Sequence, residues 1–126
     1  MLDPSGSASL RGRRLLVVED DYLIADELRN ELVEAGAEVV GPAATMAKAL
    51  QLIQADAALD GAILDVNLGG EKVFPLVDVL RERGIPAVFL TGYDSLGIPA
   101  AYADVPLCEK PAGVRKVAQA LRVQRG

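Results

Sequence analysis

Five short apolar runs punctuate the chain: Leu15 to Val18, Val39-Val40, Ala62 to Leu64, Ala87 to Leu90 and Leu107-Cys108. Each is too short for a helix and is apolar throughout, the pattern of strands buried on both faces. Segments with helical spacing separate most of them, and strand–helix alternation of this kind argues a parallel sheet covered by helices on both sides. Right-handed crossovers then leave a five-stranded sheet in the order 2-1-3-4-5 as the simplest α/β arrangement, a three-layer sandwich with its switch point between strands one and three.

The helices carry their own start and stop signals. Leu23, Ile24, Leu28, Leu32 and Val33 mark the apolar side of the first, with Asp20 or Asp21 as cap and Gly36 past its end. Thr45 caps a second helix bearing Met46, Leu50 and Ile53. Phe74 to Glu82 forms a third, with Pro75 in its first turn and Gly84 beyond its end. Val114, Val117, Ala118 and Leu121 mark the closing helix, with Arg122 and Arg125 near its C-terminus. The stretch Tyr93 to Val105 holds Gly97, Pro99 and several alanines, so the fourth helix is expected to be short or irregular. Residues 1–12, with Ser5-Gly6-Ser7-Ala8-Ser9, read as a flexible tail, and residues 13–126 as one domain.

Composition removes several functions. The net charge of −5 argues against a nucleic-acid partner, since such binders need a basic face. The absence of histidine excludes catalysis through an imidazole and zinc sites that need one. A single cysteine, Cys108, allows no internal disulfide and sits in a strand as a core filler. Leu15-Leu16-Val17-Val18 is far too short for a signal segment or membrane span, so a cytoplasmic protein with no membrane partner is expected. Gly69-Gly70-Glu71-Lys72 lacks the spacing of a phosphate-binding P-loop.

A constellation remains at one end of the sheet. Strand one delivers Glu19 and Asp20, strand three Asp65, strand four Thr91 and strand five Lys110. In open α/β sheets ligands bind outside the carboxyl ends of the strands. Any one of these residues alone reads as a helix start, a turn former or a solvated lysine; their coincidence at one edge does not. Three carboxylates in one crevice repel unless a cation joins them, and oxygen-only donors at a partly hydrated site suit Mg²⁺. A lysine and a hydroxyl beside them suit an anion, and the whole set is what phosphoryl transfer to an aspartate needs.

Val17-Val18-Glu19-Asp20-Asp21, Ile63-Leu64-Asp65-Val66-Asn67, Leu90-Thr91-Gly92 and Glu109-Lys110-Pro111, in that order, resemble the motifs of the receiver domain of bacterial response regulators. The resemblance spans about Arg13 to Gln124 and implies a CheY-like, flavodoxin-like (βα)5 fold. It implies Asp65 as phosphoacceptor for a histidine kinase or phosphotransfer protein, and Glu19, Asp20 and Asp65 with the Asn67 backbone carbonyl as Mg²⁺ ligands. Thr91 and Lys110 would bind phosphoryl oxygens, and Pro111 would follow a cis peptide bond. Phe89-Leu90-Thr91-Gly92-Tyr93 is similar to the Phe-Ala-Thr-Gly-hydrophobic-Tyr variant of stand-alone receivers in alphaproteobacteria, with Leu90 replacing the alanine and Asp94 standing where the tyrosine is expected.

The expected function is therefore that of a single-domain response regulator. It would catalyse its own phosphorylation and dephosphorylation without being an enzyme on other substrates, and would signal by contact with a downstream protein. Asn67 and Tyr93 flank the expected water path and would tune the lifetime of the acyl phosphate. Leu107 stands where the usual receiver carries an aromatic switch residue, which points to reordering of the stretch from Gly92 to Val105, driven by Thr91, as the alternative switch. Two other readings stay open: a receiver-like docking module that acts without phosphorylation, and a metal-dependent phosphatase with an aspartate nucleophile.

Overall fold

The computed structural model describes residues 10–91, 97–109 and 114–125. The elements run in the order β1 (Arg14–Val18), α1 (Tyr22–Glu34), β2 (Glu38–Ala43), α2 (Met46–Ala55), β3 (Gly61–Asp65), β4 (Asn67–Leu68), β5 (Glu71–Lys72), α3 (Phe74–Glu82), β6 (Ala87–Thr91), β7 (Leu107–Glu109) and α4 (Val114–Arg125). The main sheet runs β2-β1-β3-β6-β7 with every pairing parallel. This is the expected 2-1-3-4-5 order, since β4 and β5 form a separate antiparallel hairpin.

The three layers arise from the pleat. Successive strand residues face opposite sides of a sheet. Leu16, Val18, Ala62, Leu64, Ala87 and Phe89 accordingly face one way and pack with Ile53 of α2 and Leu76, Val77 and Leu80 of α3. Leu15, Val17, Ile63, Val88, Leu90 and Cys108 face the other way, against Leu28 and Leu32 of α1 and Val117 and Leu121 of α4. Complete burial of each such leucine or valine side chain contributes about 1.5–3 kcal/mol. Gly61 lets α4 lie close on β3: a Cβ there would stand 3.2 Å from Leu121 Cδ2 and 3.1 Å from Leu15 Cδ2.

The caps are the expected ones. The Asp21 side chain accepts from the N–H groups of Leu23 and Ile24 at 3.0 and 3.2 Å, and Thr45 Oγ1 accepts from that of Lys48 at 3.1 Å. Between β6 and β7 the described residues form only a 3-10 turn at Ala100–Tyr102, in line with a short or irregular fourth helix. That turn is tied to α3 by ring contacts. Tyr102 stacks on Phe74 with centroids 5.0 Å apart, and Phe74 meets Phe89 edge-on at 5.8 Å. The Tyr102 hydroxyl donates to Asp78, and Arg81 covers the ring while pairing with Asp104 at 2.5 Å.

Three sequence readings need correction. Leu10, assigned to the flexible tail, is 1% exposed in the α1–α4 core layer, and the Gly12 N–H donates to the Gly36 carbonyl at 2.9 Å. The packed domain thus begins before residue 13. Leu23 is 73% exposed, and Ala25 takes the buried position beside Leu28 and Leu32. The second strand continues through Gly41 and Pro42 to Ala43, because its pairing with β1 shifts register between Leu16 and Val18 and so accommodates them. At the edge opposite the site, Arg14 bridges Asp56 and Glu38, and these hydrogen bonds, Asp56 first, raise its pKa. Hydrogen bonding from Arg14 in turn holds the Asp56 carboxyl below its ordinary value.

Candidate functional site

The carboxyl ends of β1 and β3 are neighbours because the two strands pair with Leu15 beside Gly61 and Val18 beside Leu64. That register sets the first residues past β1 next to Asp65. Glu19 and Asp65 are buried, Asp20 is exposed, and one carboxylate oxygen from each lies within 4.8 Å of the others. Glu19 Oε2 accepts from the Asp21 N–H at 2.8 Å, which fixes its orientation. Burial alone would raise the Asp20 carboxyl; the Gly69 N–H, then side-chain hydrogen bonding with Asp65 and Glu19, outweigh it, and the group lies below its ordinary value. Asp20 therefore carries its charge at neutral pH. The donor set is oxygen-only, anionic and open to water at Asp20, which fits a hard divalent cation that keeps part of its hydration.

Thr91 closes β6 and is 3% exposed. Asp65 pairs in register with Leu90, so Thr91 stands one step further out at the same edge. Thr91 in turn pairs with Glu109 of β7, the residue before Lys110. Lys110, Pro111 and Tyr93 lie outside the described residues, as do Gly92 and Asp94. Leu107 is 40% exposed. Of the sequence-derived residues, the structure brings Glu19, Asp20, Asp65, Asn67 and Thr91 to one place.

From sequence alone Gly69-Gly70 reads as the end of a strand, and the hairpin it closes is missed. The glycines have φ of 58° and 89°, the pair of positive values that a two-residue type I′ turn requires, and the signal for it is the Gly-Gly dipeptide itself. The hairpin touches the acidic cluster twice and is braced by one bond of its own. The Asn67 N–H donates to Asp65 Oδ1 at 3.3 Å, the Gly69 N–H donates to Asp20 Oδ2 at 2.8 Å, and Lys72 Nζ donates to Asn67 Oδ1 at 2.5 Å. A groove of about 210 Å³ opens beside Glu19 and Asp20, walled by Tyr22, Ala25, Pro42 and Ala44. A larger cleft of about 700 Å³ lies at the other end of the sheet, around Asp60, Arg81 and Pro86, away from these groups.

A doubly wound parallel sheet with an acidic crevice at its switch point and Thr91 at the same edge defines the class of receiver-like α/β folds. Comparison with known proteins gives the family: residues 15–107 match the response regulator receiver domain, and the chain belongs to it. Among solved structures it is similar to SdrG from Sphingomonas melonis Fr1, with 38% identity, 91% of this chain and 98% of that one covered, and a TM-score of 0.80. It is also similar to the response regulator PhyR from Brucella abortus, with 27% identity, 95% of this chain and 50% of that one covered, and a TM-score of 0.71. Among curated proteins, the uncharacterized transcriptional regulatory protein YrkP of Bacillus subtilis (strain 168) is 35% identical over 118 residues, 86% of this chain and 50% of its own length. The chain thus spans half the length or less of the curated relatives it matches. No described helix is long and apolar enough to cross a membrane.

Proposed function

We propose that the protein is a phosphoacceptor in a two-component phosphorelay, with Asp65 receiving a phosphoryl group from the phosphohistidine of a histidine kinase or phosphotransfer protein. The observation that carries the reading is the buried Asp65 carboxylate, clustered within 4.8 Å with those of Glu19 and Asp20 in a family whose members are response regulators. Glu19, Asp20, Asp65 and the Asn67 carbonyl would hold Mg²⁺, which when bound offsets negative charge on the phosphoryl oxygens. An Asp65 carboxylate oxygen attacks phosphorus in line. The P–O bond forms as the P–N bond to the donor histidine breaks, and the imidazole leaves with the bonding pair. The Thr91 hydroxyl donates to one phosphoryl oxygen and Lys110 neutralises another. Water then cleaves the acyl phosphate, restoring the Asp65 carboxylate and releasing inorganic phosphate. The chain acts on its own aspartate and not on other substrates. The change passes from Thr91, at the end of β6, into the stretch before β7 and leaves the molecule by protein contact in the cytoplasm.

The test is phosphorylation with a small-molecule donor such as acetyl phosphate in Mg²⁺, read by intact mass. Wild type should gain one phosphoryl group and Asp65→Ala none. In parallel, beryllofluoride with Mg²⁺ should shift amide resonances around Asp65 and Thr91 in the wild type alone. A folded wild type silent in both assays would replace this reading with that of a docking module independent of phosphorylation.

A further inference from the structure

The β4–β5 hairpin holds a charged residue for which the proposed chemistry has no use. Lys72 pairs directly with Asn67 across the two strands, and directly opposed residues of an antiparallel pair put their side chains on one face. The contact is the 2.5 Å bond from Lys72 Nζ to Asn67 Oδ1. An ammonium has three donors and no acceptor, so it can meet only the oxygen end of the amide. Lys72 therefore settles which way round the Asn67 amide stands: Oδ1 is engaged with the lysine, and the two Nδ2 donors are what Asn67 offers elsewhere. Asn67 lies two residues past Asp65, and its backbone N–H donates to Asp65 Oδ1, so the residue adjoins the carboxylate proposed to react.

We infer that Lys72 is a positioning residue: by fixing the orientation of the Asn67 amide it lengthens the life of the aspartyl phosphate. The inference rests on the phosphoacceptor reading above. An amide held donor-outward can hydrogen-bond a phosphoryl oxygen but cannot accept a hydrogen bond from attacking water. Turned round, Oδ1 becomes an acceptor that draws and aligns that water, and hydrolysis speeds up. Lys72→Met lets the amide turn. Lys72→Glu reverses it, because a carboxylate bonds the Nδ2 end. Lys72→Arg keeps it as it is.

The experiment measures decay of the phosphorylated full chain after removal of the small-molecule donor, in wild type and these three variants, each alone and combined with Asn67→Ala. Lys72→Met should shorten the half-life about twofold to fivefold, the scale of an ion-assisted hydrogen bond between exposed groups, with Lys72→Glu shorter again and Lys72→Arg close to wild type. In the Asn67→Ala background all three should decay alike. In the unphosphorylated protein, the Asn67 side-chain NH₂ resonances should move in Lys72→Met and Lys72→Glu and hold in Lys72→Arg, while the melting temperature stays constant. Unchanged half-lives, or an effect of Lys72→Glu that persists without Asn67, would overturn the inference and leave the phosphoacceptor reading standing. A wild type that takes up no phosphoryl group would overturn both.

Discussion

Asp65→Asn should make the protein more stable, not less, when no divalent cation is present. The three carboxylate oxygens lie within 4.8 Å of one another. Two unit charges at that spacing repel by about 3.5 kcal/mol at an effective dielectric of about 20 and by about 0.9 kcal/mol at about 80. Glu19 and Asp65 are buried while Asp20 faces water, so the site lies between these limits. A net gain of about 1–2 kcal/mol is expected, or about 3–8 °C in the melting temperature of a domain this size. The substitution keeps the shape of the side chain and an oxygen to accept the Asn67 N–H now bonded to Asp65 Oδ1 at 3.3 Å. The assay is thermal unfolding monitored by circular dichroism, first in EDTA and then with excess Mg²⁺. Wild type should gain about 1.4 kcal/mol once Mg²⁺ reaches about ten times its dissociation constant, and the variant should gain less. If Asp65→Asn melts below wild type in EDTA, or if Mg²⁺ raises both by the same amount, the carboxylates are not a strained cation site and the reasoning fails.

Asp56→Asn should flatten the acid limb of the stability curve. Hydrogen bonding from Arg14 depresses the folded-state value of Asp56 below 3.8, so its contribution is complete above that value and is lost as pH falls through the folded one; an acid titration of unfolding in both proteins reads it. Cys108 should react slowly with iodoacetamide in the native protein, and its rate should climb only above the pH at which an ordinary thiol ionises, because burial raises its pKa; fast labelling at neutral pH would contradict this. Tyr102→Ala should speed amide exchange in residues 98–105 by removing the stack on Phe74 and the hydroxyl bond to Asp78, and Tyr102→Phe should have the smaller effect. Equal protection in all three proteins would show that the rings do not hold that stretch.

The site is legible in the sequence because each of its members ends an apolar run. Ala62-Ile63-Leu64 is long enough to mark a strand, and in this topology the residue just past a strand's last apolar position falls at one common edge. The less legible features all depend on a partner elsewhere in the chain. Leu10 sits in a serine-rich context, and its burial comes from α1 and α4 meeting over it. The side of α1 that faces the sheet is easily misread because large residues, Tyr22 and Leu23, stand in the exposed first turn while small Ala25 faces the core. Gly41-Pro42 carries the local signature of a strand end, and only pairing with β1 extends the strand past it. Lys72 gives no local signal beyond the Gly-Gly turn, since its role depends on the residue that the turn sets opposite it.

The parallel sheet also governs when the site exists during folding. Parallel neighbours cannot be joined by a tight turn, so each main-sheet pairing must close a long loop before it gains any contact. The β4–β5 hairpin is the local exception among the described strands and can form early, but at the site it supplies only Asn67, the Gly69 N–H and Lys72. Glu19 and Asp20 reach Asp65 only after β1 has docked on β3, with α1, β2 and α2 lying between them in the chain. A nascent or partly unfolded chain therefore presents no assembled acidic cluster. On the phosphoacceptor reading, competence to receive a signal becomes a late event of folding.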